Sequence, residues 1–171
     1  MQLNQGQIAN FESGEPFSVR SQDAEHPFLF SEYMPNSPPV SMLGDDEWVS
    51  LVSTQQFLPH YVFFTDPSYA TTSLVVTRRK GPFGFEDVQL ECLGTLTGWQ
   101  PVGSAGSLEV TYVDLVRDGV PLKQCGVSRH SAQSAGAFGI VVWGMDLLTS
   151  YGYPAGGNFG ASNRVVVPVV R

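Results

Sequence analysis

The sequence predicts an all-β fold, an antiparallel β-sandwich of jelly-roll type with about ten strands. Helical periodicity is absent, because no window keeps apolar residues at the i, i+3, i+4 and i+7 positions for three turns without an intervening glycine or proline. Short β-type runs recur instead, roughly 8–15 residues apart, with turn residues between them. The 171 residues, 42% of them hydrophobic, suffice for one core, and no linker divides the chain. We therefore expect a single domain over residues 1–171.

The clearest predicted strand is 108–116, where polar and apolar residues alternate. This alternation places Val110 and Tyr112 on an apolar face and Glu109 on the opposite one. Asp114 falls on the same face as Val110 and Tyr112, so we expect it to be paired, bonded to backbone donors, or located where the strand leaves the core. The other predicted strands are 7–12, 16–20, 28–34, 47–52, 60–65, 74–77, 88–93, 138–143 and 164–170.

Two segments are predicted as exposed loops. Segment 31–47 carries three prolines and ends in Gly-Asp-Asp, which is typical of a long surface loop. Segment 150–160 is rich in glycine and contains Tyr151 and Tyr153. The amino end has no signal sequence, and the carboxyl end stops inside an apolar run. We therefore expect a fragment of a larger secreted protein.

The charge balance excludes two classes of partner. Nine basic residues stand against 16 acidic ones, for a net charge of −7. Nucleic-acid backbones and anionic membrane surfaces both favour a basic footprint. No apolar stretch approaches the roughly 20 residues of a membrane span. We expect neither nucleic-acid binding nor membrane insertion.

The two cysteines, Cys92 and Cys125, are predicted to form a disulfide. Cys92 shares a predicted strand face with Val88 and Leu90, and Cys125 lies in a turn-like Lys-Gln-Cys-Gly segment. Two buried thiols in an intracellular protein would be the alternative.

The sequence contains no recognisable catalytic motif. It has no Gly-x-Ser-x-Gly, no phosphate-binding loop and no Cys–His arrangement of a nucleophilic enzyme. Its three histidines lack the spacing of a metal site. Arg129 and His130 are adjacent and could bind an anion, but we favour the interpretation that both side chains bond to backbone carbonyls. Asp66, before a proline, is typical of a turn residue that bonds its own backbone.

Cofactors are not expected, with calcium as a low-ranking possibility. The run Asp45-Asp46-Glu47 offers oxygen ligands but lacks the alternating spacing of a defined loop site. Tyr151 and Tyr153, with the three tryptophans, could stack on a sugar, although strand aromatics more often fill a core.

Six blocks of the sequence stand out together. They are YVFFTDP at 61–67, TGWQPVG at 97–103, VDLV at 113–116, CGVSRH at 125–130, FGIVVWG at 138–144 and SYGYPAG at 150–156. Taken together, these blocks resemble the IgGFc-binding domain family, a match that spans roughly residues 7–168. The resemblance implies an extracellular, non-enzymatic module of a large adhesive or matrix protein, with Cys125 in a cysteine–histidine block of the family. It supplies no motif from which an IgG-binding surface can be mapped.

Together these observations favour an extracellular or cell-surface module that binds a protein or glycan through loops 31–47 and 150–160. A structural spacer of a modular surface protein is the alternative. A glycan-active enzyme ranks lower, because it needs two carboxylates about 5–10 Å apart in a groove. The candidate binding residues are Asp66, Asp114, Arg129, His130, Tyr151 and Tyr153.

Overall fold

The structure, a computed structural model, describes residues 2–34 and 42–160. Within them the all-β prediction is confirmed, with eleven strands, one short 3-10 turn at Thr54–Gln56 and no α-helix. The strands are β1 Ser31–Met34, β2 Glu47–Ser50, β3 Leu58–Phe64, β4 Thr71–Arg79, β5 Val88–Leu90, β6 Gly94–Thr95, β7 Gln100–Pro101, β8 Leu108–Arg117, β9 Val120–Pro121, β10 Arg129–Asp146 and β11 Thr149–Pro154.

Nine of these strands form one antiparallel sheet around β10, while β1 and β2 pair separately. β10 is long enough to hold different neighbours along its length. On one edge it pairs first with β3 and then with β11, and on the other with β5 and then with β4. β8 continues the sheet beyond β4. β10 therefore contributes to both halves of the sheet.

The sheet curls back on itself along β10. Phe64 pairs with Arg129, and Tyr153 pairs with Val142, thirteen residues further along the same strand. An extended strand would hold these positions about 40 Å apart, yet the Tyr153 phenol bonds to the backbone of Phe64. The register of the β3 ladder shifts between Gln133 and Phe138, as expected where a strand bends sharply. The curl gives the sheet its sandwich-like inside.

The core fills this inside from strands of both halves. On β4 and β8 the buried side chains alternate with outward ones, as the period of two requires. Burying such side chains stabilises the fold by roughly 1.5–3 kcal/mol each. The central members are Tyr61, Phe63, Leu74, Val76, Val88, Leu90, Val113, Leu115, Phe138, Ile140 and Val142.

The predicted inner face of β8 is wrong beyond Val110, which is buried as expected. After Val110 the buried side chains are Thr111, Val113 and Leu115, whereas Tyr112 is 61% exposed. Asp114 lies on the Tyr112 side, and its carboxylate accepts hydrogen bonds from Arg117 at 3.0 and 2.6 Å. The expected pairing of Asp114 is present, but it occurs on the outer face. The inner face includes a threonine, Thr111, whose hydroxyl donates to the Thr97 carbonyl at 2.7 Å, so hydrophobicity alone selects the wrong side.

Four other secondary-structure predictions are corrected in whole or in part. Segments 7–12 and 16–20 contain no strand; Phe11 and Phe17 form an edge-to-face pair with ring centroids 5.1 Å apart instead. Segment 150–160, predicted as an exposed loop, contains strand β11 up to Pro154. Of the predicted loop 31–47, the two ends belong to β1 and β2, and residues 35–41 lie outside the described residues, as does the predicted strand 164–170.

Cys92 and Cys125 form the predicted disulfide, with Cα atoms 5.1 Å apart. Cys92 lies in the turn after β5 rather than in the strand, which ends at Leu90. Cys125 is buried in the core. The bridge thus fastens the segment between β9 and β10 to the end of β5. The single-domain assignment stays a prediction.

Candidate functional site

The carboxyl end of β3 brings together four of the six candidate residues. The chain continues from Phe64 through Thr65 into a turn that begins at Asp66. Tyr151 and Tyr153, both from β11, reach this end of β3 across the inside of the sheet. His130, near the start of β10, pairs with Phe63. Residues of β10 and β11 therefore meet at the carboxyl end of β3.

Asp66 acts as a turn residue, as predicted. Its Oδ1 accepts hydrogen bonds from the Ser68 backbone N–H at 2.9 Å and the Ser68 hydroxyl at 2.6 Å. These bonds lower the pKa of the Asp66 carboxyl from its ordinary value, because they favour the ionised form. The Asp66 backbone N–H donates to the Tyr151 phenol oxygen at 3.1 Å. Asp66 is thus ionised at neutral pH, and it is held in position by Ser68 at its carboxylate and by Tyr151 at its backbone N–H.

The two tyrosines of β11 use their phenol groups inside the protein. The Tyr153 oxygen accepts from the Phe64 N–H at 3.1 Å, and its hydroxyl donates to the Phe64 carbonyl. Burial raises the pKa of Tyr153. Tyr151 is half-buried and makes an edge contact with Tyr69, with centroids 4.8 Å apart. Both side chains support the end of β3 and do not form the exposed aromatic platform that a sugar would need.

His130 is 1% exposed. Its Nε2 lies 3.0 Å from the Thr65 hydroxyl, and its ring stacks on Phe63 at a centroid distance of 5.4 Å. Burial lowers the pKa of His130, against the opposing effects of a hydrogen bond to the Val127 carbonyl and of the negative charge on Glu91. The histidine is therefore neutral near pH 7 and faces the core rather than solvent.

A cavity of about 260 Å³ opens beside Asp66. Its lining includes the turn Asp66–Ala70, the end of β8, Pro121 of β9 and the segment that leads to β10. Sequence patterns contain no signal for the part outside the turn, because isolated valine, proline and glycine residues carry no distinctive chemistry. The lining includes Asp66, Pro67, Val116, Pro121 and Val127.

Asp114 and Arg129 do not line this cavity. Asp114 is paired with Arg117 on the outer face of β8. Arg129 is exposed, with its Nη1 atom 3.7 Å from Glu91. The structure thus separates the predicted Arg129–His130 pair, because adjacent residues of a strand point to opposite faces.

Asp45 belongs to the acidic run that offers oxygen ligands to calcium. Ser150 bonds to the backbone of Asp45 at both the N–H and the carbonyl, at 3.2 and 2.9 Å. Within residues 2–34 and 42–160, no group of three or more His, Cys, Asp or Glu side chains is arranged to hold a metal ion. The calcium hypothesis stays a prediction.

Comparison with known families assigns the chain. The family described as IgGFc binding protein matches residues 1–144, most of the 171-residue sequence. The chain belongs to this family. The IgGFc-binding family is a family of binding domains. The disulfide is consistent with an extracellular domain. The match ends before β11, so the SYGYPAG block at 150–156 lies beyond it.

Neither the curated proteins nor the solved structures include a significant match to the chain. In the described part of the chain, no helix has the length and apolar character required to span a bilayer.

Proposed function

We propose that this chain is a non-catalytic extracellular binding module that docks a protein partner at the cavity beside Asp66. The observation that carries this proposal is the ionised Asp66 carboxylate, which Ser68 holds at the edge of a partly apolar cavity while the Tyr151 phenol accepts from the Asp66 backbone N–H. Recognition sites combine apolar walls with a few placed polar groups. Membership of a family of binding domains supports the same conclusion.

This proposal moves the binding surface away from segment 150–160. Residues 150–154 of that segment belong to β11, and its two tyrosines bond to backbone groups of Phe64 and Asp66. The revised surface uses the turn 66–70 and the segment near Val127, which is 53% exposed. β11 supports the proposed surface from behind.

The lining of the cavity favours binding over glycan hydrolysis. Asp66 is the one carboxylate among the described residues that line it. Glycosidases of the usual type need a second carboxylate within about 5–10 Å. A spacer domain, the other alternative, would need no fixed polar group at a cavity.

The Fc fragment of IgG is the first protein to test, because the family description names it. Isothermal titration calorimetry with the intact chain should show Fc binding at micromolar concentration or tighter, with no heat from the matched Fab fragment. Val127→Trp, which fills the mouth of the cavity, should weaken the binding at least tenfold. Val62→Trp, at an equally exposed position on the outer face of β3, should leave it unchanged.

Two results would count against this proposal. Equal binding of Fc by the Val127→Trp and Val62→Trp variants would remove the cavity from the interface. No binding of Fc at 100-fold higher concentration (about 100 µM) would favour the spacer, or a glycan ligand if an array of immobilised glycans then retained the chain.

A further inference from the structure

We propose that the cavity beside Asp66 accepts the side chain of a lysine or arginine of the protein partner. This inference rests on the proposed function and specifies the chemistry of what enters the cavity. It follows from the size of the cavity, the composition of its walls and the sign of its charge.

The size fits one side chain rather than a whole ligand. Pockets for drug-sized molecules hold about 300–1,000 Å³, and this cavity holds about 260 Å³. Single anchor side chains that insert into small pockets contribute much of the affinity of protein interfaces. We therefore expect one anchor residue to occupy it.

The walls fit a long side chain with an apolar stem. Val116, Pro121 and Val127 line the cavity together with the turn. Lysine and arginine bury their methylene groups against such surfaces while keeping the charged end among polar groups. A short polar side chain would leave these walls uncovered.

The charge of the lining selects a cation. Asp66 is the one charged residue among the described residues that line the cavity, and its two bonds to Ser68 both use Oδ1. An ammonium or guanidinium group could bond to the remaining oxygen, and a charge-assisted bond of this kind is stronger than a neutral one.

Three basic side chains on the segments that flank the cavity are engaged elsewhere. Arg117 bonds to Asp114 at 2.6 Å, and the Lys123 ammonium donates to the Leu93 carbonyl at 2.9 Å. Arg129 lies beside Glu91. None of the three lines the cavity, and within residues 2–34 and 42–160 no other basic residue does so. The net charge of −7 adds a long-range attraction for a basic surface.

The test is an NMR titration of the ¹⁵N-labelled intact chain with three capped amino acids. These are N-acetyl-lysine methylamide, N-acetyl-norleucine methylamide, which keeps the apolar stem without the charge, and N-acetyl-glutamate methylamide. The lysine probe should shift the backbone amides of Ala70, Gly119, Gly126 and Val127, which surround the cavity. Its dissociation constant should be roughly three- to tenfold lower than that of norleucine, and glutamate should give no shift at these amides.

The matched variants are Asp66→Asn and Asp87→Asn. The Asp66→Asn change would keep an acceptor for Ser68 while removing the charge, so the preference for lysine over norleucine should disappear. Asp87 is 72% exposed and lines a separate shallow cleft that shares no residue with this cavity, so its variant should retain the full preference. Because the comparison of lysine with norleucine uses the unaltered chain, it decides the outcome even if Asp66→Asn fails to fold.

Equal shifts from lysine and norleucine, or lysine shifts confined to other amides, would overturn the inference. Fc binding that is sensitive to Val127→Trp, combined with no lysine preference, would reject the basic anchor and leave the proposed function intact. Lysine binding at these amides without any binding of Fc would support the cation site and would exclude Fc as the partner.

Discussion

The phenol oxygen of Tyr151 accepts a hydrogen bond from the backbone N–H of Asp66 at 3.1 Å, although 85 residues separate the two. Tyr151 comes from β11, and Asp66 begins the turn that forms one wall of the cavity. The hydrogen bond therefore connects the position of the proposed binding carboxylate to a strand that does not itself line the cavity.

Removing this phenol should loosen the turn without unfolding the protein. For Tyr151→Phe we expect a loss of about 1 kcal/mol in the free energy of unfolding, because one backbone donor loses its partner. Urea unfolding measures the change, and the Asp66 amide should shift in the NMR spectrum. Tyr112→Phe, on the exposed outer face of β8, is the control. A variant as stable as the control would show that the hydrogen bond does not hold the turn.

The disulfide should contribute more than any single hydrogen bond. Cys92 and Cys125 are separated by 33 residues, and constraining the unfolded chain over such a loop stabilises the folded state by roughly 3–4 kcal/mol. The double variant Cys92→Ser/Cys125→Ser should lose this amount in urea unfolding, and wild-type protein in reducing agent should lose a similar amount. The variant itself should not respond to reducing agent. An unchanged midpoint on reduction would contradict this expectation.

His130 should make stability depend on pH. Its pKa in the folded protein is lowered below the ordinary value of 6.5, so the unfolded chain binds a proton at a higher pH than the folded chain does. The free energy of unfolding should therefore be highest above pH 6.5 and fall as the pH drops through 6.5 towards the lower folded value. Urea unfolding between pH 7.5 and 5.5 measures the slope.

Two histidine variants separate His130 from the other titrating groups. His130→Gln keeps a polar group near Thr65 and should flatten the slope, at some cost in stability. His60→Gln, at an exposed position of β3, should retain it. The expectation fails if both variants keep the wild-type slope.

Gly144 should tolerate no side chain. A Cβ atom there would lie 2.0 Å from the ring of Tyr151, and that ring is fixed by its bond to Asp66. Gly144→Ala should destabilise the protein by roughly 1–3 kcal/mol, the usual cost of overpacking. Gly14→Ala, whose Cβ would meet no atom within 4 Å, is the matched control for thermal unfolding. Equal midpoints would show that the Tyr151 ring can move aside.

Sequence patterns are most informative where apolar residues alternate and least informative where small residues dominate. Strands β3, β4 and β8 are predicted in the right places because β-branched and aromatic residues recur there with a period of two. The first half of β10, by contrast, runs through serine, alanine and glycine, which have low strand propensity. Pairing with β3 and β5 stabilises this segment as a strand, and local composition does not predict such long-range pairing.

Glycine explains why the first part of segment 150–160 is predicted as a loop rather than a strand. Gly152 resembles a turn signal, but a Cβ there would lie within 2.7 Å of Val49 and Trp143. The glycine makes room for side chains where β11 meets β2 and β10, rather than allowing a turn. Conversely, 7–12 has strand-like composition, yet composition creates no strand where no ladder partner is present.

The candidate site is predictable only where a local sequence pattern marks a residue. Asp66 is recognisable because an aspartate before proline is typical of a turn. The convergence of Tyr151, Tyr153 and His130 on the end of β3 depends on the curl of β10, which no local pattern encodes.

The central position of β10 constrains the order in which the chain can assemble. During synthesis, β3 and β5 leave the ribosome tens of residues before β10, the strand to which both are paired. β4 and β8 can pair with each other early, but β3 must wait with its ladder edge unsatisfied, and Cys92 must wait for Cys125. Exposed strand edges of this kind favour association between nascent chains. Completion of residues 129–146 therefore closes the waiting edges of β3 and β5, and the addition of β11 then covers the remaining edge of β10.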